Sequence, residues 1–286
     1  MDTPCGERSV DEMSFEAIEL KPRIGTQIKI DKATLLSGEH TQEFRAILEQ
    51  RGVLLFRDLP LDDDEEMQLG ATLGTVRQDF GRPILRVTFD KTKNPDHADY
   101  FHATFHWHID GTHEDFPPLA SILTPRVLPP VGTGHTEFAN AYAAYEDLPA
   151  DLKAQIDGLN AAHTQLFALP ADEPPSEKQL ERVTRLGTRI HPLVWQHKSG
   201  RKSLILGGSV RSIVGMDQAE SDVLLARLLA WTTQPHYVYH HEWRMNDVLM
   251  WNNTGTLHRV LPYDKQSGRR LHRVTLVGEE SFSQAA

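Results

Sequence analysis

Apolar residues in this 286-residue chain are gathered mostly into short runs. Val53-Leu54-Leu55-Phe56, Pro192-Leu193-Val194-Trp195, Ser203-Leu204-Ile205-Leu206, Tyr237-Val238-Tyr239-His240, Asp247-Val248-Leu249-Met250-Trp251 and the stretch 270–276 all have strand length. Turn formers separate them: Ser199-Gly200 predicts a hairpin, and Pro83, Pro117, Pro118, Pro125, Pro129 and Pro130 punctuate residues 76–130. Runs of this length bounded by turn signals predict strands. Helices are expected at 41–50 (Phe44, Ile47 and Leu48 on one face, Gly52 ending it), at 63–75, over 139–160 with a second start at Pro149, and at 217–233. The last has Asp217 as N-cap, Glu220 completing a capping box, and an apolar set of Val223, Leu224, Ala226, Leu228, Leu229 and Trp231. Residues 164–187 are polar and Pro-rich, which predicts a mobile loop over a site. The sum is a mainly β fold with inserted helices (α+β), an antiparallel core decorated by helices. No clean linker divides the chain, so residues 14–286 are expected to form a single domain behind a loose leader, 1–13, in which Met13 is an alternative start.

Hydrophobic residues at 39% and charged residues at 24% exclude a disordered chain, a collagen and a coiled coil. Forty acidic against 30 basic residues leave a formal charge of −10, a poor footprint for nucleic acid. An anionic small molecule remains a fitting partner where Arg is gathered locally. The one cysteine, Cys5, excludes an internal disulfide and a cysteine-based zinc site. No apolar run approaches the roughly 20 residues of a membrane span, and the acidic N-terminus has no secretory pattern, so a cytoplasmic protein without membrane partners is expected.

The sharpest local feature is Phe105-His106-Trp107-His108-Ile109-Asp110. Read as a strand, it places His106, His108 and Asp110 on one face. An imidazole and a carboxylate two residues apart grip a metal from one side. A distant His then completes a two-His-one-carboxylate triad, which leaves positions open and suits Fe(II). Locally, His106-x-His108 competes with His108-x-Asp110, and a plain polar strand competes with both. The distant partner is His258, just past the apolar strand 247–251 and an Asn/Gly turn. Beyond it, Arg269 and Arg273 are four apart on a predicted strand and share a face, with Arg270 opposite. Inward guanidiniums are costly unless anions meet them, and carboxylates suit their fork. The alternative is a basic edge strand with Lys265 and Arg270 solvated.

From about residue 16 to 280 the chain resembles the taurine dioxygenase and 2,4-dichlorophenoxyacetate dioxygenase family of Fe(II)/2-oxoglutarate-dependent oxygenases. Trp107-His108-Ile109-Asp110 matches the family's W-H-x-D, Trp251-Asn252-Asn253 through Leu257-His258-Arg259 its W-D-N…H-R, and Arg269 to Thr275 its R-x-x-x-R-x-T. Gly134-His135-Thr136-Glu137-Phe138 stands where the family has G-G-x-T. The resemblance implies a double-stranded β-helix (jelly-roll) core. It implies iron ligation by His108, Asp110 and His258, and capture of the remote carboxylate of 2-oxoglutarate by Thr136 and Arg269. Arg273 would meet the cosubstrate or an anionic group of the substrate, and Thr104, Phe105 and His106 would face the substrate. The 164–187 stretch falls where a lid is expected, and self-association as a dimer or tetramer is common in the family.

Four departures narrow this. Asn252 replaces the usual Asp, and His135 replaces a Gly or Asp. Thr104 stands where an Asn meets the taurine amine, and Arg77, Gln78 and Phe80 lack the His and Tyr that hold taurine. Together with the segments at 200–204 and 215–221, they turn the expectation from taurine toward an aryl or alkyl acid. The implied reaction uses Fe(II), 2-oxoglutarate and O2, releases succinate and CO2, and hydroxylates a C–H bond, with net cleavage where that carbon bears O, N or S. Two other classes stay open: a cupin-like metal oxygenase or isomerase without 2-oxoglutarate, and a non-catalytic binding protein on the same fold.

Overall fold

The computed structural model of the protein describes residues 15–79, 81–95, 98–169 and 174–282. The expected leader, with Cys5 and Met13, lies outside the described residues, as does Phe80. The chain enters through β1 (Glu16–Glu19) and β2 (Thr26–Lys29), then α1 (Lys32–Ser37) and α2 (Thr41–Arg51). β3 (Val53–Phe56), α3 (Asp63–Leu73) and β4 (Leu85–Val87) follow, and a 3-10 helix at Ala98–Phe105 leads to the metal-motif segment. Next come β5 (Ala120–Val127), β6 (Thr136–Asn140), α4 (Ala141–Glu146), α5 (Ala150–Ile156) and β7 (Asn160–His163). α6 (Glu177–Leu186), β8 (Arg189–Pro192), β9 (Val194–Gln196), β10 (Lys202–Leu204) and β11 (Val210–Ile213) precede the long α7 (Gln218–Thr232). β12 (Val238–His241), β13 (Val248–Asn252), β14 (Thr256–Val260) and β15 (Arg270–Thr275) close the fold.

A seven-stranded sheet, ordered β1-β2-β3-β13-β5-β15-β4, packs against a three-stranded sheet, β12-β6-β14. Between them lie Val53, Leu55, Leu123, Leu249, Trp251 and Leu271 from the large sheet and Phe138 and Tyr239 from the small one. Helices α1, α2 and α3 cover the other face, where Leu35, Phe44, Leu48, Leu69 and Leu73 meet Leu54, Phe56, Ile122, Met250 and Val274. Burial on both faces explains why β3 and β13 read as unbroken apolar runs rather than alternating ones. A third core joins Leu224 and Leu228 of α7 to Trp195 and Leu204 of the β9–β10 hairpin, and takes in Trp107 and Ile109.

Apart from the segment 105–110, the expected strands, the hairpin and four helical regions are present, with three corrections. Ala139 lies in a strand, not a helix, because β6 is paired on both sides and Asn140 caps α4 by accepting from the Ala143 N–H at 3.1 Å. The polar stretch 164–187 is not all loop: α6 starts on a reciprocal capping box between Ser176 and Gln179. In α7, Asp217 accepts from the N–H groups of Ala219 and Glu220, and the buried face is Ser221, Leu224, Leu228 and Thr232, with Val223 70% exposed. Among the described residues no helix is long and apolar enough to cross a membrane.

One buried carboxyl sits outside any site. Glu66 of α3 is fully buried, accepting from Thr124 Oγ1 at 2.6 Å and Arg126 at 3.2 Å. Burial, against the pull of Thr124 and Arg126, pushes its carboxyl up to about 8. The unfolded chain ionises it near 4.5, so folding takes up a proton between these values and stability falls as pH rises through that window. Urea titrations at about pH 5 and about pH 8 should show wild type losing more stability between the two than Glu66→Gln. Equal losses would mean that Arg126 keeps Glu66 ionised in the fold.

Candidate metal centre

His108 and His258 lie 150 positions apart and meet backbone to backbone. The His108 N–H donates to the His258 carbonyl at 3.1 Å, and the His258 N–H returns the bond at 3.0 Å. This bridge sets the imidazoles side by side, ring centroids 4.1 Å apart. His258 is positioned by β14, and Phe138 of the neighbouring β6 lies nearly parallel to its ring at 6.3 Å. On the other side of the bridge, Trp107 and Ile109 bury themselves in the α7 core, which turns His108 the opposite way.

The segment 105–110 is not a strand. Residues 98–105 form the 3-10 helix, and only His108 makes a bridge. His108 and Asp110 still face one centre, but His106 does not join them. His106 is exposed, with its ring 6.4 Å from Phe167. Its backbone is what matters here: the His106 carbonyl accepts from His108 Nδ1 at 2.8 Å. That bond places the His108 proton on Nδ1 and leaves the Nε2 lone pair facing Asp110, 3.5 Å from Oδ1. His258 Nε2 lies 3.8 Å from Asp110 Oδ2. One ligand atom from each of His108, Asp110 and His258 falls within 4.8 Å of the others.

Asp110 is held through its backbone by one amide. Asn253 Oδ1 accepts from the Asp110 N–H at 3.0 Å, and its Nδ2 donates to the Asp110 carbonyl at 3.1 Å and to the Pro118 carbonyl at 3.0 Å. Asn252 instead folds its own turn, accepting from Thr254 and Gly255. Gly207 closes the segment from behind. A Cβ there would lie 2.2 Å from the Trp107 carbonyl oxygen, and its φ of +112° disfavours any side chain.

The electrostatics prepare a cation site. Burial, then the neighbouring His108, keeps His258 well below the usual histidine range and neutral. Burial alone would raise the Asp110 carboxyl, but the Arg273 guanidinium, with Nη1 2.8 Å from Oδ2, holds it well below its usual range. One carboxylate and two imidazoles around a common centre are the donor set of an open metal site.

The two predicted arginines differ. Arg273 reaches Asp110 and keeps its Nε unpartnered. Arg269 precedes β15, where a register shift between Arg270 and Leu271 changes the expected alternation. It is 2% exposed; its guanidinium donates to the Gly134 carbonyl at 3.2 Å and lies 4.8 Å from the Tyr263 ring centre, with Nε unpartnered and no carboxylate bonded to it among the described residues. Thr136 is equally buried, and its hydroxyl accepts from the Trp243 indole at 2.9 Å.

A cavity of about 230 Å³ opens beside the triad. His108, Asp110, Arg273 and Thr104 line it, with an aromatic wall of Phe101 and Phe167. Phe105 and His106 are not among its lining: the 3-10 helix stacks Phe105 on Phe89 at 5.9 Å and beside Tyr263 at 6.0 Å. Arg182, Val183 and Leu186 of α6 form another wall, so the expected lid is in part a helix. Arg77, at one edge, is already paired with Glu114 and Asp79.

Comparison with known proteins decides the family. The model of the taurine catabolism dioxygenase TauD, TfdA family matches residues 16–275. The chain belongs to this family of dioxygenases. It is 35% identical to an alpha-ketoglutarate-dependent 2,4-dichlorophenoxyacetate dioxygenase of Burkholderia sp. (strain RASC), covering 85% of this chain and 87% of the relative. An alkylsulfatase of Acinetobacter baylyi is 31% identical, with 91% and 84% covered. The crystal structure of AAD-2 in complex with Mn(II) and N-oxalylglycine superposes with a TM-score of 0.79 at 28% identity, covering 95% of this chain and 100% of AAD-2. This TauD/TfdA-family chain therefore shares the sheet-rich fold of its relatives and is an alpha-ketoglutarate-dependent dioxygenase by family.

Sequence reasoning missed Asn253, Gly207, the His106 carbonyl and Trp243. Asn253 stands in the stretch matched to W-D-N, but its residue type alone assigns it no role. The others act through backbone or through a partner far along the chain. Asn253→Ala strands an N–H and two carbonyls in the interior. It should cost about 2–4 kcal/mol in urea unfolding and weaken Fe(II) binding about 10–100-fold in anaerobic dialysis. Asn253→Asp, which keeps only the acceptor, should fall between. Unchanged iron affinity in both would remove Asn253 from the support of Asp110.

Proposed function

We propose that His108, Asp110 and His258 hold Fe(II), that Arg269 and Thr136 anchor 2-oxoglutarate by its remote carboxylate, and that the enzyme hydroxylates a C–H bond of a small anionic substrate. The observation that carries this reading is Arg269. A buried guanidinium whose Nε has no partner and to which no carboxylate is bonded is strongly unfavourable unless an anion completes it. Burial lowers even this arginine from its usual range, against the support of Tyr263. The remote carboxylate of a bound 2-oxoglutarate would supply that anion.

When bound, the iron with 2-oxoglutarate and O2 supplies an oxidant that inserts hydroxyl, releasing succinate and CO2. The chain's own residues place and shield it. The His106 carbonyl fixes the His108 tautomer, Asn253 fixes Asp110, and Arg273 keeps Asp110 ionised. Phe101 and Phe167 offer an apolar wall, Thr104 a hydroxyl, and α6 a cover that keeps water from the centre. An aryl or alkyl group against that wall, with its acid group toward Arg273, is the substrate class these residues favour. Where the attacked carbon bears an ether or sulfate oxygen, the product collapses to net cleavage. The facing sheets support a double-stranded β-helix core, and their shared cores support one catalytic domain over the described residues.

Anaerobic addition of Fe(II) and 2-oxoglutarate should produce a weak visible charge-transfer band in wild type and none in His108→Ala. Arg269→Ala should retain iron while its KM for 2-oxoglutarate, read by succinate release, rises at least about tenfold, the loss of a charge-assisted bond. Bound iron without the band in wild type would sink the cosubstrate assignment and favour a cupin-like oxygenase; no iron at all would favour a binding protein.

A further inference from the structure

His135, the residue that departs from the family pattern, lies on the outer side of the small sheet. It meets His240 of β12 there, 105 positions away, with Nδ1 2.8 Å from His240 Nε2 and ring centroids 4.9 Å apart. Glu242, two residues beyond His240, brings a carboxylate oxygen to the same place, and the three ligand atoms lie within 4.8 Å of one another. Two imidazole nitrogens and a carboxylate on one centre form the donor set that zinc, copper(II) and nickel(II) take.

A loose surface cluster would stop there. This one has support behind it. His240 Nδ1 bonds Glu137 Oε1 at 3.2 Å, which puts the ring proton on Nδ1 and turns the Nε2 lone pair outward to His135. Glu137 is itself held, its other oxygen taking Arg259 Nε at 2.8 Å and Nη2 at 2.7 Å. Arg259 in turn lies over the Trp107 ring, 4.6 Å from its centre. The carboxylate–histidine pair that orients metal-bound imidazoles is thus already built on rigid paired strands, β6 and β12.

We propose that His135, His240 and Glu242 form a second metal site, selective for a divalent transition ion such as Zn(II) and separate from the iron centre. Binding moves no net charge off the histidines: His135 shifts its proton from Nδ1 to Nε2, and both facing nitrogens become ligands. Across a tetrahedral Zn(II) those nitrogens stand about 3.3 Å apart, an opening of about half an ångström that side-chain rotation accommodates. A water fills the fourth position. The bound ion would tie His135, between Gly134 and Thr136, to β12, and so clamp the turn whose carbonyl takes Arg269.

The test uses the full, untagged, metal-free chain, because a polyhistidine tag would mask the site. Equilibrium dialysis against Zn(II), read by elemental analysis, should show one zinc lost per chain in His240→Ala and in Glu242→Gln relative to wild type. The same loss should appear when His240→Ala is placed on a His108→Ala background, where the iron centre is already disabled. Zinc should also raise the melting temperature of the His108→Ala chain but not that of the His108→Ala, His240→Ala chain. Glu242 is exposed, so Glu242→Gln keeps the fold intact as a second reading. Zinc stoichiometry and melting shift unchanged by His240→Ala and Glu242→Gln would overturn the proposal. Loss of zinc with His108→Ala alone reports on the iron centre and leaves the two readings distinguishable.

Discussion

The structure depends on the reciprocal pair of backbone hydrogen bonds between His108 and His258. Neither residue lies on a strand that pairs with the other's sheet over any length; the contact is a single bridge. It still fixes two ligands at once, because each side chain's direction follows from its own packing. Trp107 and Ile109 point His108 inward from the loop, and β14 points His258 inward from the sheet. A site held by backbone bonds and core packing does not need its ligands to hold one another. With Arg273 supplying the counter-charge to Asp110, the carboxylate and the two imidazoles are tolerated together in a buried place.

The fold deals with buried charge in two ways. At Glu66 the carboxyl meets Arg126 and Thr124 and is driven toward its neutral form. At the centre, Asp110 stays ionised because Arg273 outweighs burial. Arg269 follows neither course: arginine does not neutralise, and among the described residues its guanidinium meets the Gly134 carbonyl and the Tyr263 ring but no carboxylate. Stability alone would not keep such a residue. A ligand that supplied the missing anion would account for it, and on the proposed function would tie cosubstrate binding to a cost already present in the fold.

How much was legible in the sequence follows from where each interaction is encoded. β3, β13 and the β9–β10 hairpin were readable because burial on both faces leaves unbroken apolar runs and Ser199-Gly200 marks the turn. His108, Asp110 and His258 were readable as residue types at motif spacing. α6 was hidden, because its capping box lies in a polar stretch and its buried face is only Gln179 and Val183. Alternation failed at His106, since a 3-10 helix replaces the strand it assumes, although Trp107 and Ile109 still turn inward. His106 contributes through a carbonyl, which every residue carries, and Gly207 through the absence of a side chain. His135 and His240 find each other only through the β6–β12 register, which no local pattern displays.

Two His/carboxylate clusters among the described residues show what burial adds to a donor set. At the centre, desolvation keeps His258 neutral and Arg273 keeps Asp110 charged. At His135, His240 and Glu242 water screens those effects, and geometry alone prepares the ligands: Glu137 sets the tautomer of His240, and Arg259 sets Glu137. A buried centre with an open cavity suits an ion that must bind a cosubstrate and oxygen out of water. An exposed centre on paired strands suits an ion whose effect is to hold two segments together. The same residue types, His and a carboxylate, would thus suit chemistry in the buried place and clamping in the exposed one, and the dielectric around them makes the difference.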